Sequence, residues 1–410
     1  MEINNGRKRV LYLTTLVLLI GVLIGLYSAN YRFSDASPGG TDFIPRWLGT
    51  RLLLTEGLNP YGSQASLRIQ KFISGKPKEI GEDQHLFVYP LYSIFFFSPF
   101  ALFDNYTVAR ALWMTWLEIA LVIIVLLSVK LTDFKVSPLV FGLLTLFALF
   151  WYHDLRSLIN GNPAILSALF ITIGLTAIKY DRDVLGGLFL GFATIKPQIV
   201  VLFIPFVFLW AYSHGRWRLI IATVSSVVGL VLLALLIEPN WINQDFEQIT
   251  AYPDYTLPGT PNEIFKNWWP NMGGILALVL ALVMVAILIR LWVKSWKAPF
   301  RIFLLTAIAT LAITNLVGIQ TATANYVALL PGAIIITLYL LDQESISAPF
   351  TALLFSGFLF FGVWTLFLLT SEGRHQSETL FLPAPLILII FVLLTLRTNH
   401  RNRSVVDQAA

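Results

Sequence analysis

Residues 10–29, VLYLTTLVLLIGVLIGLYSA, form an uncharged, mostly apolar run directly preceded by Arg7, Lys8 and Arg9. A helix needs about 20 such residues to cross a bilayer, and a basic flank marks the cytoplasmic side. No small-residue cleavage pattern of the A-x-A kind follows, so the run is expected to be an anchor helix and not a removable leader. Similar runs recur near 87–103, 107–129, 138–151, 164–178, 184–195, 198–212, 217–237, 273–293, 301–319, 324–341, 349–369 and 381–396. Composition agrees: 57% of the 410 residues are hydrophobic and only 12% charged, with a mean hydropathy of +0.74. Soluble domains carry about 25% charged residues. An all-α, polytopic membrane protein forming a single integral membrane domain over 1–410 is expected.

The N-terminus and the tail 397–410, with Arg397, Arg401 and Arg403, both read as cytoplasmic, which requires an even number of crossings. About twelve crossings are expected, plus one re-entrant or half segment. The candidates for the latter are 87–103, bracketed by Pro90 and Pro99, and 138–151, too short to span unaided. Alternation puts the basic turns Arg290/Lys294/Lys297/Arg301, Arg216/Arg218 and Lys179/Arg182 inside. Two long loops, 30–86 and 238–272, then face out. The second carries Glu238, Asp245, Glu247, Asp254 and Glu263 against Lys266 alone.

The net charge of +5 sits at helix ends and reports topology, so no nucleic-acid partner is expected. The absence of cysteine excludes thiolate metal sites, cysteine nucleophiles and disulfides. There is no internal repeat and no soluble domain.

In the first loop, FIPRWLGTRLLLTE (43–56) places Ile44, Trp47, Leu48, Leu52 and Leu54 broadly on one face, flanked by Arg46 and Arg51. This predicts a helix lying in the membrane interface, with Gly57 as C-cap and a turn at Asn59-Pro60-Tyr61-Gly62. Asp42, just before it, has two readings: an ordinary N-cap, or a general base at the membrane surface. Lys196 interrupts the apolar stretch 184–212 and precedes Pro197. It is either a snorkelling turn residue or a cation for an anionic lipid phosphate.

The turn WYHDLRSLINGNP (151–163) brings His153, Asp154 and Arg156 together; a solvated turn is the plain reading, and Arg156 can reach a phosphate. Asp181-Arg182-Asp183 matches D-x-D formally, but on a short cytoplasmic turn Asp183 reads as a helix cap. Tyr252, Tyr255, Phe265, Trp268 and Trp269 in the second loop are either interfacial anchors or sugar-stacking faces.

Taken in order, these features resemble glycosyltransferase family 87, membrane enzymes of the GT-C fold whose described members use polyprenyl-phosphate mannose. The resemblance covers roughly residues 10–340. It runs through Asp42, Gly57 to Tyr61 (G-x-N-P-Y), Tyr89-Pro90 with Pro99, Gly161-Asn162, Gly187 to Pro197 (G-x-x-x-G-x-A-x-x-K-P), Asn271, and Asn325 to Pro331. The chain departs from the family's commoner residues at Asn162, Leu91 and Met272-Gly273, which bears on donor and acceptor identity.

The resemblance implies inverting transfer of a sugar, with mannose the expected one, from a polyprenyl-phosphate donor to a glycan or glycolipid acceptor. The site would lie on the outer face of the plasma membrane. Asp42 would be the catalytic base, and Lys196 and Arg156 would bind the donor phosphate. Tyr61, Tyr89, Asn162, Trp269, Asn271, Asn325 and Tyr326 would contact substrate. No cofactor and no metal are expected beyond the donor itself. A lipid or glycan transporter and a membrane acyltransferase are the alternative classes. The first would show midplane ionisable residues and short loops, the second an embedded histidine.

Overall fold

The structure is a computed structural model that describes residues 5–79, 82–254, 256, 259–343, 345–371 and 376–409. Tyr255 lies outside them, as do the side chains of Asp254, Arg401 and Arg403. No strand occurs among the described residues. The first apolar run becomes α1 (Asn5–Ala36), and the first loop folds into α2 (Ile44–Glu56) and α3 (Ser63–Ser74). Next come α4 (Ile94–Ala101), α5 (Tyr106–Thr132), α6 (Pro138–Phe150), α7 (Tyr152–Asn160) and α8 (Ala164–Lys179). A broken hairpin of α9 (Asp183–Phe192), α10 (Pro197–Val200) and α11 (Phe203–Ser213) leads into the long α12 (Trp217–Ile237). The second loop holds α13 (Trp241–Ala251) and α14 (Pro261–Trp268). Then follow α15 (Gly273–Ser295), α16 (Phe300–Thr314), α17 (Leu330–Leu341), α18 (Ala348–Gly357), α19 (Val363–Thr370) and α20 (Pro383–Ala409).

Each expected apolar run contains helix, though fewer helices than the expected twelve or so are long enough to cross unaided. Seven helices are long and apolar enough to cross a membrane, or eight if α6 and α7, bent by 56° at Trp151, count as one. Five further apolar helices have only 10–17 residues. At 1.5 Å per residue these fall short of a ~30 Å hydrocarbon core. Such helices fit a multi-pass membrane protein, and both candidates for the one segment expected not to cross are among the broken or short ones.

Burial separates the helices. The window in Thr323–Leu341 is 94% buried and forms the middle of the bundle, whereas that in Tyr12–Ala36 is 0% buried. α5 packs on α1, α6, α8 and α17. The G-x-x-x-G motif explains the tightest packing. A methyl group at Gly187 would come within 2.6 Å of Ala222 Cβ and 2.7 Å of Leu219 O, and Gly191 lies directly against Ser226. Only glycine lets the α9 and α12 backbones touch, as small residues do between membrane helices.

α9 then ends in a 3₁₀ turn, Ala193–Ile195, pinned by Ser167 Oγ donating to Ala193 O at 2.9 Å and Tyr92 OH to Thr194 O at 3.0 Å. Lys196 follows in a non-helical conformation, and Pro197 opens α10. The small residues therefore set where the lysine emerges.

The helix, the C-cap and the turn expected in the first loop are present. Gly57, at φ 67°, ends α2, its N–H donating to Leu53 O at 3.1 Å while Leu58 N–H reaches Leu52 O at 3.2 Å. The Asn59–Gly62 turn closes with Gly62 N–H on Asn59 O at 3.0 Å and Tyr61 N–H on Asn59 Oδ1 at 2.9 Å.

The D-x-D match is a structural tie. Arg216 Nε donates to Asp183 Oδ1 at 2.8 Å, its Nη2 also bonds Asp183, and Asp181 lies 3.3 Å from Nη2. Asp183 is not the expected cap. Arg182 holds the cap position, and Asp183 sits in the first turn of α9.

Candidate active site

Both long loops fold over one end of the bundle and enclose a cavity of about 790 Å³. Its key carboxylate is placed by a buried cation. Arg110 of α5, 1% exposed, donates from Nη1 to Ser37 O at 2.7 Å and from Nη2 to Ile159 O at 3.1 Å. Tyr106 OH donates to Gly39 O at 2.6 Å. Gly40, at φ 78°, and Gly39 leave room for these side chains. The chain then turns so that Phe43 N–H bonds Asn160 O at 3.1 Å. Gly161, at φ 67°, is required there, because a Cβ would approach Phe43 Cβ within 2.6 Å. The first loop and the end of α7 are thereby docked with Asp42 facing Asn162.

Asp42 is not the N-cap. Phe43 holds that position and no side chain caps α2. The Asp42 carboxylate instead accepts one hydrogen bond, from Asn162 Nδ2 to Oδ2 at 2.9 Å. The other end of the same amide accepts from Lys196, whose Nζ lies 2.9 Å from Asn162 Oδ1, and Nζ donates also to Asn325 Oδ1. Asn162, Lys196 and Asn325 are 5%, 3% and 3% exposed. A neutral amide thus separates an acid from an ammonium group. An ammonium has three donors, and two are spent on the asparagines, which leaves one for the cavity. Burial pushes Lys196 down to about 7, against the pull of Asp42; Arg46 pushes the same way as burial.

Arg46 was missed as a site residue. It is buried on α2, donates from Nη1 to Asp42 O at 3.1 Å, and lies 4.2 Å over the Tyr89 ring, which Lys196 Nζ approaches to 5.6 Å. Two buried cations therefore share one aromatic ring, with no salt-bridge partner for either among the described residues. The sequence shows only an arginine flanking an apolar helix face; spacing does not reveal that Arg46 points inward.

Arg156 also lines the cavity and donates to Tyr152 OH at 3.2 Å. The rest of the wall includes Thr323, Gln376, Ser377, Glu378, Trp268 and Tyr252. Gln376 Oε1 accepts from Thr323 Oγ1 at 2.7 Å and from Tyr152 OH at 3.1 Å. Residues 376–378 follow α19 in a third connection that carries no motif.

The structure thus brings Asp42, Tyr89, Arg156, Asn162, Lys196 and Asn325 to one cavity and leaves out four other expected contacts. Tyr61 lies behind the wall, its hydroxyl donating to Tyr89 O at 2.5 Å. Its G-x-N-P-Y motif joins the two long loops instead. Asn59 Nδ2 donates to Glu238 Oε2 at 2.8 Å and Gln244 Oε1 at 2.9 Å, and Gln248 accepts from Val88 N–H at 3.0 Å. Trp269 is 51% exposed and stacks edge-on against Trp268, the neighbour that does line the cavity. Asn271 is exposed and away from the cavity. Tyr326 is fully buried, donating to Phe381 O at 2.6 Å. His153 and Asp154 are also fully buried, and His153 is packed among Trp151, Tyr152 and Tyr326, so the solvated-turn reading fails for both.

Among the described residues no group of three or more His, Cys, Asp or Glu side chains is arranged to hold a metal. No curated protein and no solved structure matches the chain. The family model of glycosyltransferase family 87 matches residues 87–289, which carry Tyr89, Asn162 and Lys196 and nearly half of the chain. This is the family that the ordered motifs resemble, and over those residues the chain is similar to the glycosyltransferases of family 87.

Proposed function

We propose that the protein is an inverting glycosyltransferase of GT-C type that moves a hexose, mannose in the leading reading, from a polyprenyl-phosphate donor to a glycan or glycolipid acceptor. The single observation that carries this is the Asn162 amide, bonded to Asp42 on one side and to Lys196 on the other at the wall of one cavity. A base and an anion-binding cation are kept adjacent without neutralising each other.

In the proposed reaction Asp42 takes the proton of an acceptor hydroxyl as that oxygen attacks the anomeric carbon. The bond from that carbon to the phosphate oxygen breaks on the opposite face, and polyprenyl phosphate leaves as an anion without protonation. One carboxylate suffices, unlike glycoside hydrolysis with its pair. Lys196, through its free N–H, and Arg46 and Arg156 receive the charge developing on the phosphate. Asn325 and Asn162 hold the ammonium in place. The basic turns at the other end of the bundle support an active site on the outer face of the plasma membrane.

The test is to incubate membranes containing the protein with labelled polyprenyl-phosphate sugars and identify the labelled product. Label should pass to a glycan or glycolipid with inversion, and the mannose donor should be used. Absence of transfer from every such donor, with folded protein present, overturns the proposal.

A further inference from the structure

A second groove lies outside the cavity wall, between α2 and α3, and encloses about 430 Å³. Leu48, Arg51 and Glu56 line it from α2, and Arg68, Lys71 and Phe72 from α3, at the i, i+3, i+4 spacing of a single helix face. Three cations face one carboxylate, and that carboxylate is taken, since Glu56 pairs with Arg68. Arg51 is aimed by its Nη1, which donates to Ala101 O at 3.1 Å and Leu102 O at 3.3 Å. The Lys71 ammonium has no hydrogen bond or ion pair among the described residues.

The level of this groove is fixed by its neighbours. Phe72 packs on Trp47 and Tyr106, with ring centroids 5.6 and 5.4 Å away, and Tyr106 is the first residue of the spanning helix α5. Beside it Leu102 is 74% exposed and Phe103 43%. Exposed apolar side chains thus adjoin the cations where a span begins, which is where hydrocarbon gives way to phosphates in a leaflet. Cations for solvation alone would not need an apolar floor of Leu48 and Phe72.

We propose that the groove docks an acidic phospholipid of the leaflet at the cavity end, with its phosphate on Arg51, Arg68 and Lys71 and the start of its acyl chain against Leu48 and Phe72. Charge complementarity selects an acidic headgroup, and the apolar floor selects a lipid over a free anion. The site is separate from the cavity and does not depend on the transfer reaction.

Full-length protein in nanodiscs of phosphatidylcholine with added phosphatidylglycerol, analysed by native mass spectrometry, tests it. The protein should retain phosphatidylglycerol in preference to phosphatidylcholine. Arg68→Gln with Lys71→Gln should weaken that retention about ten- to a hundredfold, the effect of losing charge-assisted phosphate contacts. Both side chains are exposed, so melting in pure phosphatidylcholine should not change. Should the pair misfold, Lys71→Gln alone, which removes no intramolecular bond, must still lower retention. Equal retention of the two lipids, or retention unchanged by the variants, overturns the proposal. So does displacement of phosphatidylglycerol by polyprenyl phosphate at equal concentration, because the groove would then belong to the donor.

Discussion

Two charged clusters mark the two ends of this helical bundle, and they treat their charges in opposite ways. At one end Arg216 binds Asp183 directly and has Asp181 within 3.3 Å, while Lys179 bonds Asp133 at 2.6 Å. At the other, Asp42 and Lys196 never meet, because the Asn162 amide stands between them. The 27 residues of α5 separate the two ends by roughly 40 Å. Direct pairing neutralises charge and leaves nothing over for a ligand. The amide keeps a carboxylate and an ammonium close yet unspent, which costs stability unless something else uses them. That difference separates a structural tie from the candidate site.

The comparison breaks most sharply at Asp42. Asp42→Asn keeps the bond-forming size but cannot accept a proton, and since Asp42 caps no helix, thermal stability should stay near wild type. Transfer should fall by about 10² to 10⁴ in an assay with labelled donor. Near-normal turnover would remove Asp42 as the base.

Removing the spacer is the next largest change. Asn162→Ala should let Asp42 and Lys196 pair directly and lower turnover on the order of 10²-fold, as small misplacements of reacting groups do. A variant as active as wild type would show that the separation has no role.

Lys196→Gln should then weaken donor binding by about one to two decades in a direct binding measurement, with less effect on acceptor KM. The pH dependence sharpens this. A donor phosphodiester stays singly anionic near neutrality, whereas Lys196, pushed by burial down to about 7, loses a proton there. Donor affinity should therefore be fully present below that value and fall as pH rises through it, by at most about tenfold per unit. Lys196→Arg, which does not titrate there, should flatten the profile. A wild-type profile flat from pH 6 to 9 would contradict the assignment.

The smallest effect belongs to the other end. Arg216→Ala should lower stability by about 1 to 3 kcal/mol, measured as a shift in melting, because Asp183 loses its partner. Transfer per folded molecule should not change. Ser63→Cys and Ser345→Cys, both exposed and at opposite ends, should label from opposite sides with an impermeant thiol reagent; only the first should react in intact cells.

Much of the site was legible in the sequence because its residues sit where helices break. Asp42 follows Gly39-Gly40, Asn162 sits between a left-handed glycine and a proline, and Lys196 stands before Pro197. Such punctuation is local and survives without a structure. Direction is not local. Spacing makes Asp42 a good cap, and only the docking of Phe43 on Asn160 turns its side chain toward Asn162. Trp269 and Trp268 are equally aromatic, and the end of α14 decides which one faces the cavity. Arg46 and Arg110 earn their roles from partners far along the chain, Tyr89 and Ile159 among them, that no window contains. Long helices are fewer than apolar runs for a related reason, since apolarity reads solvent preference whereas helix length depends on where each break falls.

The bond from Lys196 to Asn325 sets a timetable. Synthesis delivers the chain from its N-terminus, so Asp42 arrives early, Asn162 and Lys196 follow, and Asn325 comes only after sixteen of the twenty helices have been made. Until then the lysine has a single asparagine to hold it. A partly inserted chain therefore cannot display a finished cavity wall, and newly made protein lacks the proposed site until its late helices have joined the bundle.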